Sequence, residues 1–290
     1  MATGVLPLVV GKFTRLAQFY TDSEKVYEGT VRFGFSTDTY DAEGEATSDP
    51  QTVVVNREAL DGVAAKFRGV IEQLPPPFSA KKINGVPAYK LARKNKEVTL
   101  KSVRVEIKEF EILSVEDDRA TFRARVTSGT YMRSVAHEMG QQLGCGAHLE
   151  ALRRTSVGDF VVENAHTIDE VAKVTMAKEP AYASNGSGSS ERNRNLVTAG
   201  NSSEREGTSN ASVETMEDLF VHPRTLLPHF PCVAADEQTV TKIRSGCTVN
   251  LFELSRARQV KVFAGQRELI AIATRVAGTL FHPKIVLCGS

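Results

Sequence analysis

Apolar residues at Phe13, Leu16, Ala17 and Tyr20 recur at intervals of three and four, which places them on one stripe of a helix. The period then changes to two. In KVYEGTVRFGF, residues Tyr27, Gly29, Val31, Phe33 and Phe35 fall on one face of a strand. A polar turn, TDTYDAEGE, separates it from a short apolar run, Thr52 to Val55, read as another strand. Asn56 is placed to cap a helix carrying Leu60, Val63, Phe67 and Val70, which the run Pro75, Pro76, Pro77 ends. The segment FSAKKINGVPAYKLARKNK is polar and turn-rich around Asn84-Gly85, and Pro87 suits the first turn of a short helix. Two alternating strands follow, one through Val103, Val105 and Ile107, the other through Ala120, Phe122, Ala124 and Val126. Val135, Met139 and Leu143 predict a helix that Gly144 closes, and Leu149 with Leu152 predicts a second, short one. Thr167 and Glu170 match a capping box for a further helix.

Between Ser184 and Ser212 the pattern disappears. These 29 residues hold eight Ser, five Asn and four Gly. Such a stretch cannot bury enough surface to offset its ordering entropy, so a disordered linker or insertion is expected. After Leu219 the chain becomes strand-rich. Asp236 is placed to cap a helix carrying Val240 and Ile243, and TVNLF, QVKVFA, ELIAIATRV and LFHPKIVL follow at a spacing that suggests a small barrel-like domain.

Composition adds exclusions. The 290 residues carry 36 basic and 35 acidic side chains, with 41% hydrophobic residues, the profile of a soluble globular protein of about two domains. No apolar run approaches the ~20 residues of a membrane span, and MATGVLPLVV has no basic region of the kind that opens a secretory signal. Cys145, Cys232, Cys247 and Cys288 form no C-x-x-C pair, which argues against a zinc site or a disulfide framework and fits a reducing cytoplasm. The net charge of +1 averages opposite local fields. Five acids and no base lie between Ser36 and Pro50, whereas Lys81 to Lys108 holds nine bases against two acids. A concentrated basic stretch is what nucleic acid requires; an unevenly charged solvated surface is the plainer alternative.

Among single residues Arg133 is the most informative. It falls in the predicted first turn of a helix, where a cation opposes the macrodipole, so either an anionic partner or plain solvent exposure follows. Tyr27 reads as a core aromatic by period, or as a flat face for stacking a base. The acidic turn fails the calcium-loop pattern, since Asp38 and Asp41 are three apart, and His137 with His148 forms no H-E-x-x-H arrangement. No metal is expected.

Four stretches resemble the TruB-type tRNA pseudouridine synthases, in that family's order: ATGVLPLVVGKFTRLAQFY, DSEKVYEGTVRFGFSTDTYDAEGE, QLPPPFSAKKINGVPAYKLAR and SGTYMRSVAHEMGQQLGCGAHLEALRRTSVGDF. The last, with GCGAHL-x-x-LRR, resembles the bacterial branch. The resemblance implies an α+β fold: a catalytic domain on a mixed, mostly antiparallel sheet (1–172, with an RNA-clamping insertion at about 78–100), the Ser/Asn/Gly-rich stretch (173–218), and a small β-rich PUA-like RNA-binding domain (219–290). It implies isomerisation of uridine 55 in the T-loop of tRNA after the base is flipped out, in a cytoplasmic monomer using no cofactor and no metal. By the resemblance Tyr27 stacks on the flipped base, Arg133 pairs with the catalytic aspartate and Leu152 lines the apolar wall. Lys81, Lys82, Tyr89, Lys90, Arg93, Arg153 and Arg154 face the RNA backbone.

The sequence departs from the family at one position. The family motif L-D-P-x-A-T-G carries the nucleophilic Asp, and Met1 stands at its x, so that Asp would lie two positions before Met1. Neither Asp38 nor Asp41 belongs to the corresponding stretch. The expectation is an N-terminally truncated synthase whose start is placed at an internal Met, whereas a real truncation would leave an exposed sheet edge and an unpaired Arg133; a non-catalytic tRNA-binding or tRNA-folding protein is the alternative, and a metal-dependent hydrolase built on the acidic turn is a remote third.

Overall fold

The computed structural model describes residues 2–79, 81–83, 85–88, 90, 100–176 and 215–287. They divide into two compact units, residues 1–165 with 226–290, and residues 166–225. The first unit holds the larger sheet, in which β1 (Ala2–Gly4), β2 (Lys25–Phe33), β3 (Gly69–Gln73), β6 (Val103–Glu116), β7 (Arg119–Val126) and β8 (Ala147–Val157) run in the order β1-β8-β2-β7-β6-β3, with β9 (Phe160–Val161) on β8. β1 is parallel to β8; every other pairing is antiparallel. The fold is mixed and mostly antiparallel, as the resemblance implied.

One face of this sheet is the core. Val31 and Phe33 of β2, Phe122 and Ala124 of β7 and Leu149 of β8 are buried there. α2 (Arg57–Lys66) and α3 (Met132–Leu143) cover it with Leu60 and Val63, and with Val135 and Met139. Each such side chain contributes about 1.5–3 kcal/mol when fully buried. The Asn56 side chain accepts from the Ala59 amide, closing the N-terminus of α2, and Gly144, at φ 76, closes the C-terminus of α3.

The structure corrects several local expectations. Residues 52–55 form no ladder: Val55 is buried and its amide donates to the Asp117 carbonyl, but Val54 is exposed. α2 stops at Lys66, and Val70 lies in β3 paired with β6. Val86–Pro87 forms strand β5 against β4 (Lys82–Ile83), and the helix expected there begins one residue later, with Ala88 and Lys90 helical. Leu149 and Leu152 sit in β8, not in a helix. The β2 register shifts between Thr30 and Val31, so Ala151 pairs with Thr30 and Leu149 with Val31, and Glu150 is the extra residue. That bulge puts two leucines three apart on one face and imitates helical spacing.

The remainder of this unit is a second, five-stranded sheet of β10 (Cys232–Ala235), β12 (Gln259–Ala264), β13 (Glu268–Ala277), β14 (Leu280–Val286) and β11 (Val249–Asn250), in that order. It is an open sheet instead of the expected barrel, and β10 joins it in parallel. The Asp236 side chain caps α5 (Glu237–Arg244) by accepting from the Thr239 amide. The Arg275 guanidinium gathers the carbonyls of Glu253, Ser255, Ala257 and Gly278, fixing the loop before β12. A separate core joins the 3-10 turn Gly11–Leu16 and α1 (Ala17–Thr21) to this sheet: Leu16 and Tyr20 pack with Leu227, Phe263, Ile272 and Leu287, all buried. In the other unit, Thr167 and Glu170 form the predicted capping box of α4 (Ile168–Met176). The Ser184–Ser212 stretch lies outside the described residues.

Candidate active site

The acidic turn is built by its own carboxylates. Asp38 Oδ1 accepts from the Glu45 amide at 2.9 Å, and Asp41 Oδ1 accepts from the Thr39 hydroxyl at 2.6 Å and the Glu43 amide at 3.1 Å. Tyr40 takes a left-handed conformation, φ 64, which reverses the chain just before Asp41. Residue 41 bridges Leu149 of β8, and its side chain is only 9% exposed. A buried carboxylate needs a counter-charge, and Arg133 supplies it.

Arg133 is the second residue of α3. Its Nη1 donates to Asp41 Oδ2 at 2.9 Å and to the Thr39 carbonyl at 3.3 Å, and its Nη2 donates to the Phe78 carbonyl at 2.9 Å. α3 has no side-chain cap and no acid in its first turn, so Asp41 is the anion that this end of the dipole lacks. Arg133 is therefore paired, and the orphaned guanidinium expected of a real truncation is not seen. Its partner comes from the turn that the sequence reading set apart from the site. Gln73, fully buried, anchors the helix start: its side-chain amide donates to the Tyr131 carbonyl at 3.1 Å and accepts from the Tyr131 amide at 2.8 Å. The Ser134 hydroxyl donates to the Leu74 carbonyl at 2.7 Å.

Tyr27 and Leu152 lie on the core face of the sheet. Tyr27 pairs with Ala124 and Arg154, Leu152 with Gly29, and both are partly buried against the cluster that includes Met132 and Val135 of α3. Tyr27 and Leu152 thus share one surface, and Arg133 leads off the helix that covers it. Arg154 faces the same way and its Nε donates to the Val5 carbonyl at 2.9 Å, holding the chain as it leaves β1. Arg153 is exposed on the opposite face beside Glu28. Lys81 is half-buried and Lys90 exposed. Tyr89, Arg93 and the side chain of Lys82 lie outside the described residues.

Sequence reasoning missed Asp41, Gln73 and a stacked pair, Tyr40 on His137, with ring centroids 3.8 Å apart and planes 11° from parallel. The acid's position before Ala-Glu-Gly in a turn marks it as a turn builder, and nothing local shows its distant partner. Burial lowers the pKa of both His137 and His148, and raises that of Tyr40, to which the Glu138 charge adds. Among the described residues no group of three or more His, Cys, Asp or Glu is placed to hold a metal ion, and no helix is long and apolar enough to cross a membrane.

Residues 1–132 match the model of the TruB family pseudouridylate synthase N-terminal domain, and residues 133–185 that of the tRNA pseudouridylate synthase B C-terminal domain. A tRNA pseudouridine synthase B of Solibacter usitatus is 40% identical over 99% of this chain and 87% of its own length. The chain belongs to the TruB pseudouridylate synthase family. Its members are isomerases. The enzyme of the same name from Francisella tularensis subsp. novicida is 42% identical over 64% of this chain and 62% of its own length. The fold is shared more widely. The archaeal box H/ACA sRNP Nop10-Cbf5 complex matches with a TM-score of 0.60 at 18% identity, over 99% of this chain and 74% of that one. An H/ACA RNP bound to a substrate RNA containing 2'-deoxyuridine matches at 0.58, also at 18% identity, over 99% and 73%.

Proposed function

We propose that this TruB family chain carries the substrate-binding and positioning machinery of a tRNA pseudouridine synthase that isomerises uridine 55 of the T-loop. The base leaves the stack and enters the site. Tyr27 stacks on it, Leu152 bounds it on the apolar side, and Arg133 orients the nucleophilic carboxylate. The observation that supports this reading best is the Arg133–Asp41 pair at 2.9 Å, built from two of the family's motif stretches, at the end of the helix covering Tyr27 and Leu152. The nucleophile is the Asp of L-D-P-x-A-T-G, two positions before Met1. β1 runs parallel to β8 with Ala2 beside Leu152, so a chain entering β1 from upstream passes Leu149, the residue bridged to Asp41. Lys81, Lys82, Tyr89, Lys90, Arg93 and Arg153 hold the phosphates, with the 219–290 segment as a further RNA-binding part. The protein works as a monomer in the cytoplasm, and neither a metal nor a cofactor takes part.

The test compares two forms on a T-arm RNA. A chain extended upstream through L-D-P is expected to form pseudouridine, and the 290-residue chain to form none. Turnover by the short form overturns the placement of the nucleophile.

A further inference from the structure

Two local costs meet at one contact beside the Arg133–Asp41 pair. Tyr40 is a bulky residue at φ 64, a conformation that strains any residue but Gly, Asn or Asp. His137 Nδ1 is buried without a hydrogen-bond partner, an arrangement that folding penalises. The two rings stack face to face at 3.8 Å. Their sequence neighbours explain where this contact acts. Tyr40 immediately precedes Asp41, and His137 lies one turn beyond Arg133 on the same helix, so their side chains lie on one face. The acidic turn is thereby fastened to α3 at two points: the ion pair at Arg133 and the ring stack at His137. The turn's backbone adds a third attachment, with the Leu149 amide donating to the Tyr40 carbonyl at 3.0 Å. Unrelieved local costs of this kind concentrate at functional sites, where surrounding structure holds residues in place.

We propose that Tyr40 and His137 are positioning residues, acting through their stacked ring faces to hold Asp41, and through it the Arg133 guanidinium, in the geometry the reaction needs. The His137 nitrogens take no part in the chemistry. This rests on the assignment of Arg133 to the active site, but its central claim is testable without turnover.

The variants separate ring from backbone. Tyr40→Asn tolerates the left-handed conformation and removes the ring; Tyr40→Phe keeps the ring; His137→Phe keeps a stacking face and removes both nitrogens. In the 290-residue chain, labelled with 15N, the Arg133 Nη–H resonances, which carry the bonds to Asp41 and Phe78, are assigned by their loss in Arg133→Lys. Their exchange with solvent is expected to be slow in the wild type, Tyr40→Phe and His137→Phe, and at least about ten-fold faster in Tyr40→Asn. Cooperative thermal melting of each variant establishes that it is folded. In the chain extended through L-D-P, Tyr40→Asn is expected to lower kcat at least about ten-fold with little change in KM, as a misplaced reacting group does, and both Phe variants to recover it. Wild-type exchange in Tyr40→Asn overturns the proposal. So does a His137→Phe variant as impaired as Tyr40→Asn, which would assign the effect to the imidazole nitrogens, or a loss carried by KM alone. Should the exchange pattern hold while the extended wild type forms no pseudouridine, the positioning role stands and the functional reading falls.

Discussion

Arg133 shows what a single residue reveals before its fold is known. A cation at a helix N-terminus demands an anion, and that demand was legible. The identity of the anion was not, because Asp41 lies 92 positions away in a turn whose local chemistry explains its acids without any partner. The pair is largely withdrawn from solvent, with Arg133 24% and Asp41 9% exposed. Replacing Asp41 by Asn leaves the guanidinium uncompensated, so stability is expected to fall by about 2–3 kcal/mol, below the range for a fully buried pair because Arg133 is partly hydrated. Urea unfolding checks this as a lower midpoint at unchanged slope. The two histidines make a pH prediction. Burial is the first cause lowering both His137 and His148, below an ordinary value of 6.5. A base whose folded pKa is depressed binds fewer protons folded than unfolded. Stability is then complete above about 6.5 and is lost as pH falls from there toward the folded values. The melting temperature should drop between pH 7.5 and 5.5, and the double variant His137→Phe with His148→Gln should flatten that slope; an unchanged slope would count against burial as the cause.

At the scale of elements, periodicity read the uninterrupted strand β7 correctly and failed at the bulged strand β8. β7 alternates without interruption and was read correctly through Ala120, Phe122, Ala124 and Val126. β6 is longer than its first three apolar positions suggested, because a register shift after Ile107 moves the buried set from Val105 and Ile107 to Phe110 and Ile112. β8 has two such shifts, and no fixed period survives them. The parallel edge strand β1 depends on one backbone approach. Gly4 sits at φ 107, and a Cβ there would lie 2.1 Å from the Arg154 carbonyl oxygen. Gly4→Ala is therefore expected to cost more than about 2 kcal/mol and to release β1 from β8. Trypsin should then cut at Lys12 and Arg15 faster than in the wild type, while a variant digested at the wild-type rate would show that the edge accommodates the methyl group.

At the scale of the whole molecule, the largest cooperative feature is a core within the first unit that two sheets share. Apolar stripes at residues 13–20 and in the C-terminal strands were each legible, but nothing in either says that they face one another, since a pattern of buried positions does not name its partner. Leu16 and Tyr20 are buried among Leu227, Phe263, Ile272 and Leu287, and the Tyr20 hydroxyl accepts from the Leu227 amide at 3.1 Å. The same burial pushes the Tyr20 phenol up to about 12, so it stays neutral across the working range. Phe19 meets Phe230 edge to face at 5.5 Å, and Arg15 Nη1 donates to the Val286 carbonyl at 2.6 Å. A shared core of this kind couples the unfolding of the two sheets, because neither can expose its side without exposing the other's. Tyr20→Phe, which leaves the Leu227 amide unsatisfied, should cost about 1–3 kcal/mol. Tyr20→Ala, which adds a cavity, should cost about 3–5 kcal/mol. In both variants calorimetry should show the transition of this unit moving down as one, and amides of β2 and β13 should gain exchange together. A transition that splits, with the β2 amides keeping their wild-type protection, would mean that the two sheets fold independently and that the Tyr20 core joins them without coupling them.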